Sequence, residues 1–455
     1  APCAAALMAE QAPLDDSSRA ELAQEVATAA IRAWLAASGS DVEKALRKAM
    51  RARHADLDQE ARRQIADSVL GVAVLRGRLA HLLAREARPG ADADAELLLQ
   101  LFCLRERPGA ACSGGAAGGT AKELAAVVAA PIFHAHERPS AAERLAVAWS
   151  LPAWLTRRWV AELGAPCAFA LGRAMSLPAR VTLRANALKT TRLELMRSIA
   201  SAGVRAVPTA ESPWGLFLPD GRPPGGGVWQ LPGWKEGLFE VQDEGSQLIA
   251  LATEAQPGEH VVDYCAGRGG KTWALAALVA PTGRVRAWDV DGDLRLQLRG
   301  ARAARAGAEG LVEVPEEHPA PGPDGTGLFD VVMVDAPCSS SGALRRHPSQ
   351  RWSIDEVEVS RLATVQSQVL REAAALVRPG GRLVYATCSL LNEENAAVAN
   401  AFEAAGEGTF QPWPFPPRPW IVAQGAGSSL SHHRTLLPHV EGTDGFFMAR
   451  WRRAG

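Results

Sequence analysis

Beyond about residue 237 the chain alternates between short apolar runs and helical patterns, and no other feature constrains its fold as strongly. The runs are HVVDYC, RVRAW, FDVVMVD and RLVYATC, each bounded by turn residues. Between them lie KTWALAALVA, DLRLQLRGARAARA and a long helical stretch from about Ser353 to Val377. Strands alternating with helices predict an α/β fold, a doubly wound parallel sheet whose ligands bind at the carboxyl ends of the strands. The unusual polar residues all fall at those ends: Asp263, Cys265, Asp289, Asp335, Cys338 and Cys388. That coincidence places an active site there.

The first run leads into VVDYCAGRGGKT, residues 261–272, which resembles a phosphate loop without being one. A P-loop requires glycine where Cys265 stands. A dinucleotide fingerprint requires a third glycine where Thr272 stands. Glycines in such a turn let backbone N–H groups approach a ligand closely. A nucleoside carried on an uncharged or cationic chain needs no complete phosphate cradle, and S-adenosylmethionine is such a ligand. Asp289, just past RVRAW, is placed to accept hydrogen bonds from ribose hydroxyls. A dehydrogenase would use an aspartate there too, and a strand-end aspartate or a glycine turn also occurs without any ligand.

Upstream the pattern differs. Leu22, Val26, Ala30 and Ala33 recur at helical spacing, as do Ile65, Val69, Val72, Leu75, Leu79 and Leu82, which predicts helices with one core-facing stripe each. Residues 107–122, RPGAACSGGAAGGTAK, read as a glycine- and alanine-rich linker. From about residue 178, RVTLRANALK predicts a strand, TRLELMRSIASAG a helix ended by glycine, and VRAVPTA and GLFLPD short strands. A proline- and glycine-rich loop, 220–234, separates this small α/β module from the alternating region. The boundaries so read are 14–145 for the helical part, 146–235 for the module and 236–455 for the doubly wound part.

With 49 Lys+Arg against 50 Asp+Glu, net charge neither requires nor forbids nucleic acid, so any affinity for it must be concentrated in a local groove. No apolar stretch approaches the roughly 18 residues of a membrane span, and no basic region precedes the short apolar run at the N-terminus. The seven cysteines are scattered, odd in number and contain no C-x-x-C, which predicts free thiols in a reducing compartment and no metal site.

Two of those cysteines end neighbouring strands, in FDVVMVDAPCSSSGALRRHP and GGRLVYATCSLLNEEN. One cysteine in such a place is usually a small buried hydrophobe; two at matching strand ends point to chemistry. DAPCSSSG, YATCS, DYCAGRGGKT and the closing GTDGFFMARW resemble the RNA 5-methylcytosine methyltransferases of the Sun/Fmu family, as do SLPAWL, LRANALK and FEVQDEGSQL. The resemblance covers residues 150–455. The helical N-terminus, with DSVLGVAVLRGRLAHLL, is similar to the NusB-like domain of the bacterial small-subunit rRNA enzymes.

The resemblance implies a Rossmann-like methyltransferase domain preceded by a small α/β RNA-binding module and an all-α NusB-like domain. It implies methylation of cytosine C5 in RNA, ribosomal RNA in particular, with S-adenosylmethionine as donor. Cytosine C5 is a poor nucleophile until a thiolate adds at C6, and the resemblance gives that role to Cys388. It gives product release to Cys338, and to Asp335 the N3/N4 edge of the base, where a carboxyl group can stabilise the protonated ring. Cofactor contacts fall on Cys265, Ala266, Gly267, Arg268, Gly269, Gly270, Lys271, Asp289 and Asp335, and no metal is implied. The expected partner is RNA, without DNA or membrane, and the expected state a monomer in the cytoplasm, or in an organelle matrix if a leader has been removed. The alternative is a catalytically weakened RNA-binding or ribosome-assembly protein on the same scaffold.

Three smaller expectations complete the reading. Arg345, Arg346 and His347 are candidates to neutralise phosphates beside the site. Asn392, Glu393 and Glu394 read as helix initiation. The family loop is usually Cys-Ala-Ala-Pro-Gly-Gly-Lys; here Gly267 and Arg268 replace Ala-Pro, and the acid expected after the third strand has Glu316 as its nearest candidate.

Overall fold

The computed structural model describes residues 16–37, 41–53, 56–87, 94–106, 127–134, 136–223, 227–323, 327–406, 408–415 and 431–455. The 107–122 linker therefore lies outside the described residues. The chain packs as two units, one holding the described residues up to Ser176 together with His347–Ser353, the other Leu177–Arg346 and Ile354–Gly455.

The first unit is helical: α1 (Asp16–Ala36), α2 (Val42–Ala52), α3 (Gln59–Glu86), α4 (Ala95–Leu101), α5 (Ala141–Trp149), α6 (Ala153–Leu163) and α7 (Ala165–Ser176). Asp41, Asp58 and Asp94 start α2, α3 and α4 by accepting first-turn N–H groups, and Ser140 with Glu143 forms a capping box on α5. The α3 stripe buries Ile65, Val69, Val72, Leu79 and Leu82 in one core with Val26, Ala30 and Trp34 of α1. On α1 the buried face continues through Trp34, while Ala33 is exposed. The segment His347–Ser353 belongs to this unit through Arg351, whose buried guanidinium donates to the carbonyls of Val74, Trp149 and Met175 at 2.9–3.2 Å. Cys103 is disulfide-bonded, which corrects the expectation of free thiols throughout; Cys167, Cys265, Cys338 and Cys388 form no disulfide.

The second unit holds two sheets. The smaller is antiparallel, in the order β2 (Val207–Pro208), β3 (Gly215–Leu218), β1 (Val181–Ala185), β4 (Phe239–Val241). Helix α8 (Arg192–Ser201), opened by a Thr191–Glu194 capping box, buries Leu195 and Ile199 in a core with Leu183, Leu216 and Phe239. Helix α9 (Glu244–Ala252) leads from it to the larger sheet.

The larger sheet has the central order β9 (Val377–Thr387), β8 (Phe329–Asp335), β5 (His260–Asp263), β6 (Arg284–Ala287), β7 (Val312–Glu313), all parallel. Its far edge is antiparallel: β12 (Phe446–Arg453) pairs with β9, and β10 (Phe410–Pro412) and β11 (His433–Leu436) pair with β12. The crossovers are helices α10 (Gly270–Val279), α11 (Gly292–Leu298), α12 (Ala301–Ala306) and α13 (Glu356–Ala375), and α14 (Ala396–Ala405) follows β9. Val261, Val262, Val331, Val332, Leu383 and Val384 are fully buried, as strands covered on both faces require. The single helix expected over DLRLQLRGARAARA is two, because Gly300 adopts φ +62° and breaks the ladder between Leu298 and Ala301. Strand order reverses beside β5, which has β6 on one side and β8 on the other, and ligands of doubly wound sheets bind at that switch point.

Candidate active site

Three strand ends meet at the switch point. Each carries a polar residue that its apolar strand delivers to the same edge of the sheet.

From β5 the chain enters the glycine turn. Asp263 is fully buried; its Oδ2 accepts from Thr272 Oγ1 at 2.7 Å, while Oδ1 has no hydrogen-bond partner among the described residues. Burial raises its carboxyl to about 7, against the Thr272 bond and with the charge of Asp335 adding to the rise. Gly267 and Gly269 both have positive φ, +52° and +79°, and Gly269 forms the N-terminal cap of α10. A Cβ at Gly269 would lie 2.6 Å from Leu298, whereas Gly267 faces open space. Gly267 N donates to Asp289 Oδ2 at 2.8 Å, so the carboxylate at the end of β6 steers the turn. Arg268 is exposed, and losing the family's proline leaves the turn closed by Gly269 N to Ala266 O at 2.8 Å.

These residues fit S-adenosylmethionine. The unpartnered Oδ1 of Asp263 would suit a cationic amine, the Asp289 carboxylate would suit hydroxyls, and the open space at Gly267 would allow close approach. Glu316 does not join this set, since it is exposed and holds Arg299 at 2.6 Å. Beyond β7 the turn carries His318 instead, packed with Tyr264 and Trp288 at ring-centroid separations of 5.5 and 4.6 Å.

From β8, Asp335 accepts from Lys271 Nζ at 2.5 Å, an ion pair mostly shielded from solvent. Burial pulls the Lys271 ammonium down, but the charge and hydrogen bond of Asp335 together outweigh it, and the lysine is held above its ordinary range. Cys265, on the turn below, is pushed well up by burial and then by Asp335, Asp263 and Asp289, so it remains a thiol.

The turns after β8 and β9 bring Cys338 and Cys388 together with their sulfurs 3.3 Å apart. The Cys388 thiol also donates to Ser340 Oγ at 3.3 Å. Cys388 titrates below the ordinary thiol range because Cys338 and Ser340 hydrogen-bond to it and Lys271 adds positive charge, against burial and Asp335. Cys338 is pushed well up by the hydrogen bond it gives Cys388, by burial and by neighbouring negative charge. The pair is thus polarised, Cys388 towards the thiolate and Cys338 towards the thiol.

Residues that the sequence left aside hold the pair in place. Ser340 is not glycine yet has φ +56°, and this left-handed residue turns the Ser-Ser-Ser run back over Cys388. Gly342 N donates to Cys388 O at 2.9 Å and Gly445 N to Gly342 O at 2.8 Å; a Cβ on Gly342 would lie 2.2 Å from Gly445 O. The GTDG stretch is therefore the floor of the cysteine turn. Beneath both turns sits Glu394, fully buried, accepting from Ser339 N, Ser339 Oγ, Ser389 Oγ and Gln366 Nε2 at 2.5–3.0 Å. Asn392–Glu394 do form a short 3-10 helix ahead of α14, as the helix-initiation reading expects, but the Glu394 carboxylate faces the core instead of the helix start.

Arg345 and Arg346 are a second correction. Arg345 Nε donates to Asp444 at 2.6 Å and Arg346 to Asp243 at 2.8 Å, with a further Arg346–Asp444 contact, so both are bound to internal carboxylates rather than presented to phosphates. His347 lies in the helical unit. Arg295 and Arg299 are similarly tied to the carbonyls of Asp289 and Val314.

Comparison with known proteins bears on the family and the fold. A family model described as 16S rRNA methyltransferase RsmB/F matches residues 250–452, and a ferredoxin-like domain of RsmF/B-like methyltransferases matches 151–223. The chain is 34% identical over 313 residues to a probable ribosomal RNA small subunit methyltransferase B of Synechocystis sp., covering 67% of each protein. To the corresponding Bacillus subtilis protein it is 32% identical over 333 residues, 71% of each. Among solved structures, that of PH0851 matches 95% of this chain and 98% of its own with a TM-score of 0.72 at 24% identity, which shows the fold. A methyltransferase homologue from Pyrococcus horikoshii covers 70% of this chain and all of its own, at a TM-score of 0.55 and 26% identity.

Proposed function

We propose, from the premise that this chain belongs to the RsmB/F family of 16S rRNA methyltransferases and is an S-adenosylmethionine-dependent RNA methyltransferase, that it methylates cytosine C5 through a covalent bond to Cys388. The substrate in this reading is small-subunit ribosomal RNA, with residues 14–145 and 146–235 presenting the RNA to the part from 236 to 455. The observation that supports it most directly is the 3.3 Å approach of two thiols whose titrations are driven apart.

The Cys388 thiolate adds to C6 of the cytosine, forming a C–S bond and moving the C5=C6 electron pair onto C5. In this reading Asp335, held by Lys271, serves N3 with its carboxyl group as the ring gains charge. S-adenosylmethionine, when bound by Asp263, Asp289 and the glycine turn, supplies the methyl group that C5 accepts. The C5 proton then leaves to a base, the C5–H electrons reform the C5=C6 bond, and the C6–S bond breaks to return the Cys388 thiolate. Cys338, once it has given its own proton to a neighbour or solvent, is the sulfur nearest to act as that base.

The target base must be unstacked to reach the sulfur, at a cost of a few kcal/mol that single-stranded RNA reduces. The test is a denaturing gel after incubation with unmodified small-subunit RNA and cofactor. Cys338→Ala is expected to accumulate an RNA–protein adduct and Cys388→Ala to form none and methylate nothing. An adduct that persists without Cys388 rejects the assignment.

A further inference from the structure

Glu394 is a carboxylate in an unusual position. It is fully buried, directly under the two reactive turns, and among the described residues no cation stands within ion-pair distance of it. Its four hydrogen-bond donors are neutral groups: Ser339 N, Ser339 Oγ, Ser389 Oγ and Gln366 Nε2. Accepting at every contact is the role of an ionised carboxylate. An uncompensated buried charge is expensive, and the same serines could have bridged one another through neutral groups. Fold stability alone does not account for it.

Its partners are specific. Ser339 follows Cys338 and Ser389 follows Cys388, so each reactive turn is tied to the same carboxylate one residue past its sulfur. Ser341 Oγ lies 3.0 Å from Ser389 Oγ and accepts from Leu390 N at 2.9 Å, which adds a second bridge between the turns. Tyr385 Oη donates to the Glu394 carbonyl at 2.5 Å and Gln366 reaches both Pro337 O and Glu394 Oε1, fixing the carboxylate from β9 and α13. Among the described residues, the one backbone N–H given to the carboxylate comes from Ser339, on the Cys338 side.

We infer that Glu394 is a positioning residue for both thiols: by tying the two turns one residue past each sulfur it sets the distance between the sulfurs, and its charge adds to the difference between them. Negative charge in a low-dielectric interior acts strongly over a few ångströms. The charged and titratable groups facing the pair are Lys271 on α10, Asp335 at the end of β8, Tyr385 on β9 and Glu394. The contact between the sulfurs is the largest influence on both; behind it Lys271 favours the Cys388 thiolate, and behind it and burial Glu394 favours the Cys338 thiol. The inference rests on the proposed covalent chemistry only for its consequence in turnover; the ordering of the thiols is a property of the free protein.

The experiment uses the full chain under reductant. Iodoacetamide labelling of Cys338 and Cys388 is followed against pH by peptide mass spectrometry in the wild type, Glu394→Gln and Glu394→Asp. The wild type is expected to label at Cys388 first. Glu394→Gln removes the charge, so Cys338 is expected to label about tenfold faster near neutral pH, the change in thiolate fraction for one pK unit. Glu394→Asp keeps the charge and shortens the reach; it is expected to preserve the labelling order while lowering kcat with little change in KM for RNA. A purely structural role would lower the melting temperature and leave the Cys338 labelling rate alone. Unchanged Cys338 labelling in a folded Glu394→Gln protein that binds cofactor normally overturns the inference, as does a reversed order in Glu394→Asp, which carries the test if the glutamine variant does not fold. Should Cys338 labelling in Glu394→Gln rise as expected while no RNA adduct ever forms, the inference stands and the proposed chemistry falls.

Discussion

Replacing Ser340 separates a hydrogen bond from a backbone conformation, two contributions that usually change together. The residue sits at φ +56° with its hydroxyl 3.3 Å from the Cys388 sulfur. Once that sulfur is a thiolate, the hydroxyl can rotate to donate to it. A hydrogen bond to a charged group contributes about 1.5–3 kcal/mol, so its loss should raise the Cys388 titration by roughly one to two pH units. The left-handed conformation costs an L-residue about 1–2 kcal/mol. Ser340→Ala loses the hydroxyl and keeps that strain. Ser340→Gly loses the hydroxyl and relieves the strain, offset by about 0.5–1 kcal/mol of extra chain entropy in the unfolded state. Both variants should therefore lose roughly ten- to hundredfold in kcat/KM near neutral pH, with the acid limb of the pH profile displaced upward and activity recovering at high pH. Only the glycine variant should match or exceed wild-type thermal stability. The assay is tritiated methyl transfer to RNA across pH 6–10 alongside thermal melts. Activity of both variants within twofold of wild type at every pH refutes the reasoning. An active glycine variant beside an inactive alanine variant would show that the backbone, not the hydroxyl, matters.

The remaining predictions address charge. Asp263 titrates at about 7 in the folded chain and near 3.9 when unfolded, so the native state binds the extra proton. That contribution is fully present below about pH 4 and is lost as pH rises towards 7, an upper bound on the order of 4 kcal/mol. Asp263→Asn should accordingly melt higher than the wild type at pH 8 without cofactor, and bind S-adenosylmethionine more weakly by calorimetry; a lower melting temperature together with unchanged affinity would contradict both halves. Arg346→Ala should lower thermal stability and leave the salt dependence of RNA affinity unaltered, because that guanidinium is already bound to Asp243 and Asp444. A shallower salt slope in the variant would return Arg346 to the RNA surface.

Periodicity and strand-end chemistry were legible in the residue order, since both are local. The apolar runs around Val262, Val332 and Val384 announced a sheet buried on both faces, and the polar residues that close them announced its working edge. What escaped was every property that depends on a partner distant in sequence. Arg345 and Arg346 follow Cys338 and read as a phosphate clamp, but the Asp444 that binds Arg345 lies 99 residues further on. Glu394 reads as a helix-cap acid because its Ser339 and Gln366 partners precede it by 55 and 28 residues. Ser340 is invisible for a different reason, since a left-handed residue is normally flagged by glycine and here the position carries a side chain. The split of α11 from α12 could have been read, as Gly300 stands in the middle of the expected helix.

Two thiols in contact titrate as a pair, and this changes what deleting one of them means. The hydrogen bond from Cys338 is the largest contribution lowering the Cys388 titration, ahead of Ser340 and Lys271. Cys338→Ala therefore removes a stabiliser of the Cys388 thiolate as well as the sulfur proposed to take the C5 proton. Adduct formation in that variant should be slower than wild-type attack at neutral pH, even though the adduct, once formed, persists. Raising the pH should restore the rate of formation, as Cys388 ionises without help, and leave the persistence untouched. Quenched-flow gels at pH 7 and pH 9 separate the two effects. A rate of formation in Cys338→Ala equal to wild type at pH 7 would mean that the contact between the sulfurs carries no electrostatic consequence, and Lys271 with Ser340 would then have to activate Cys388 alone.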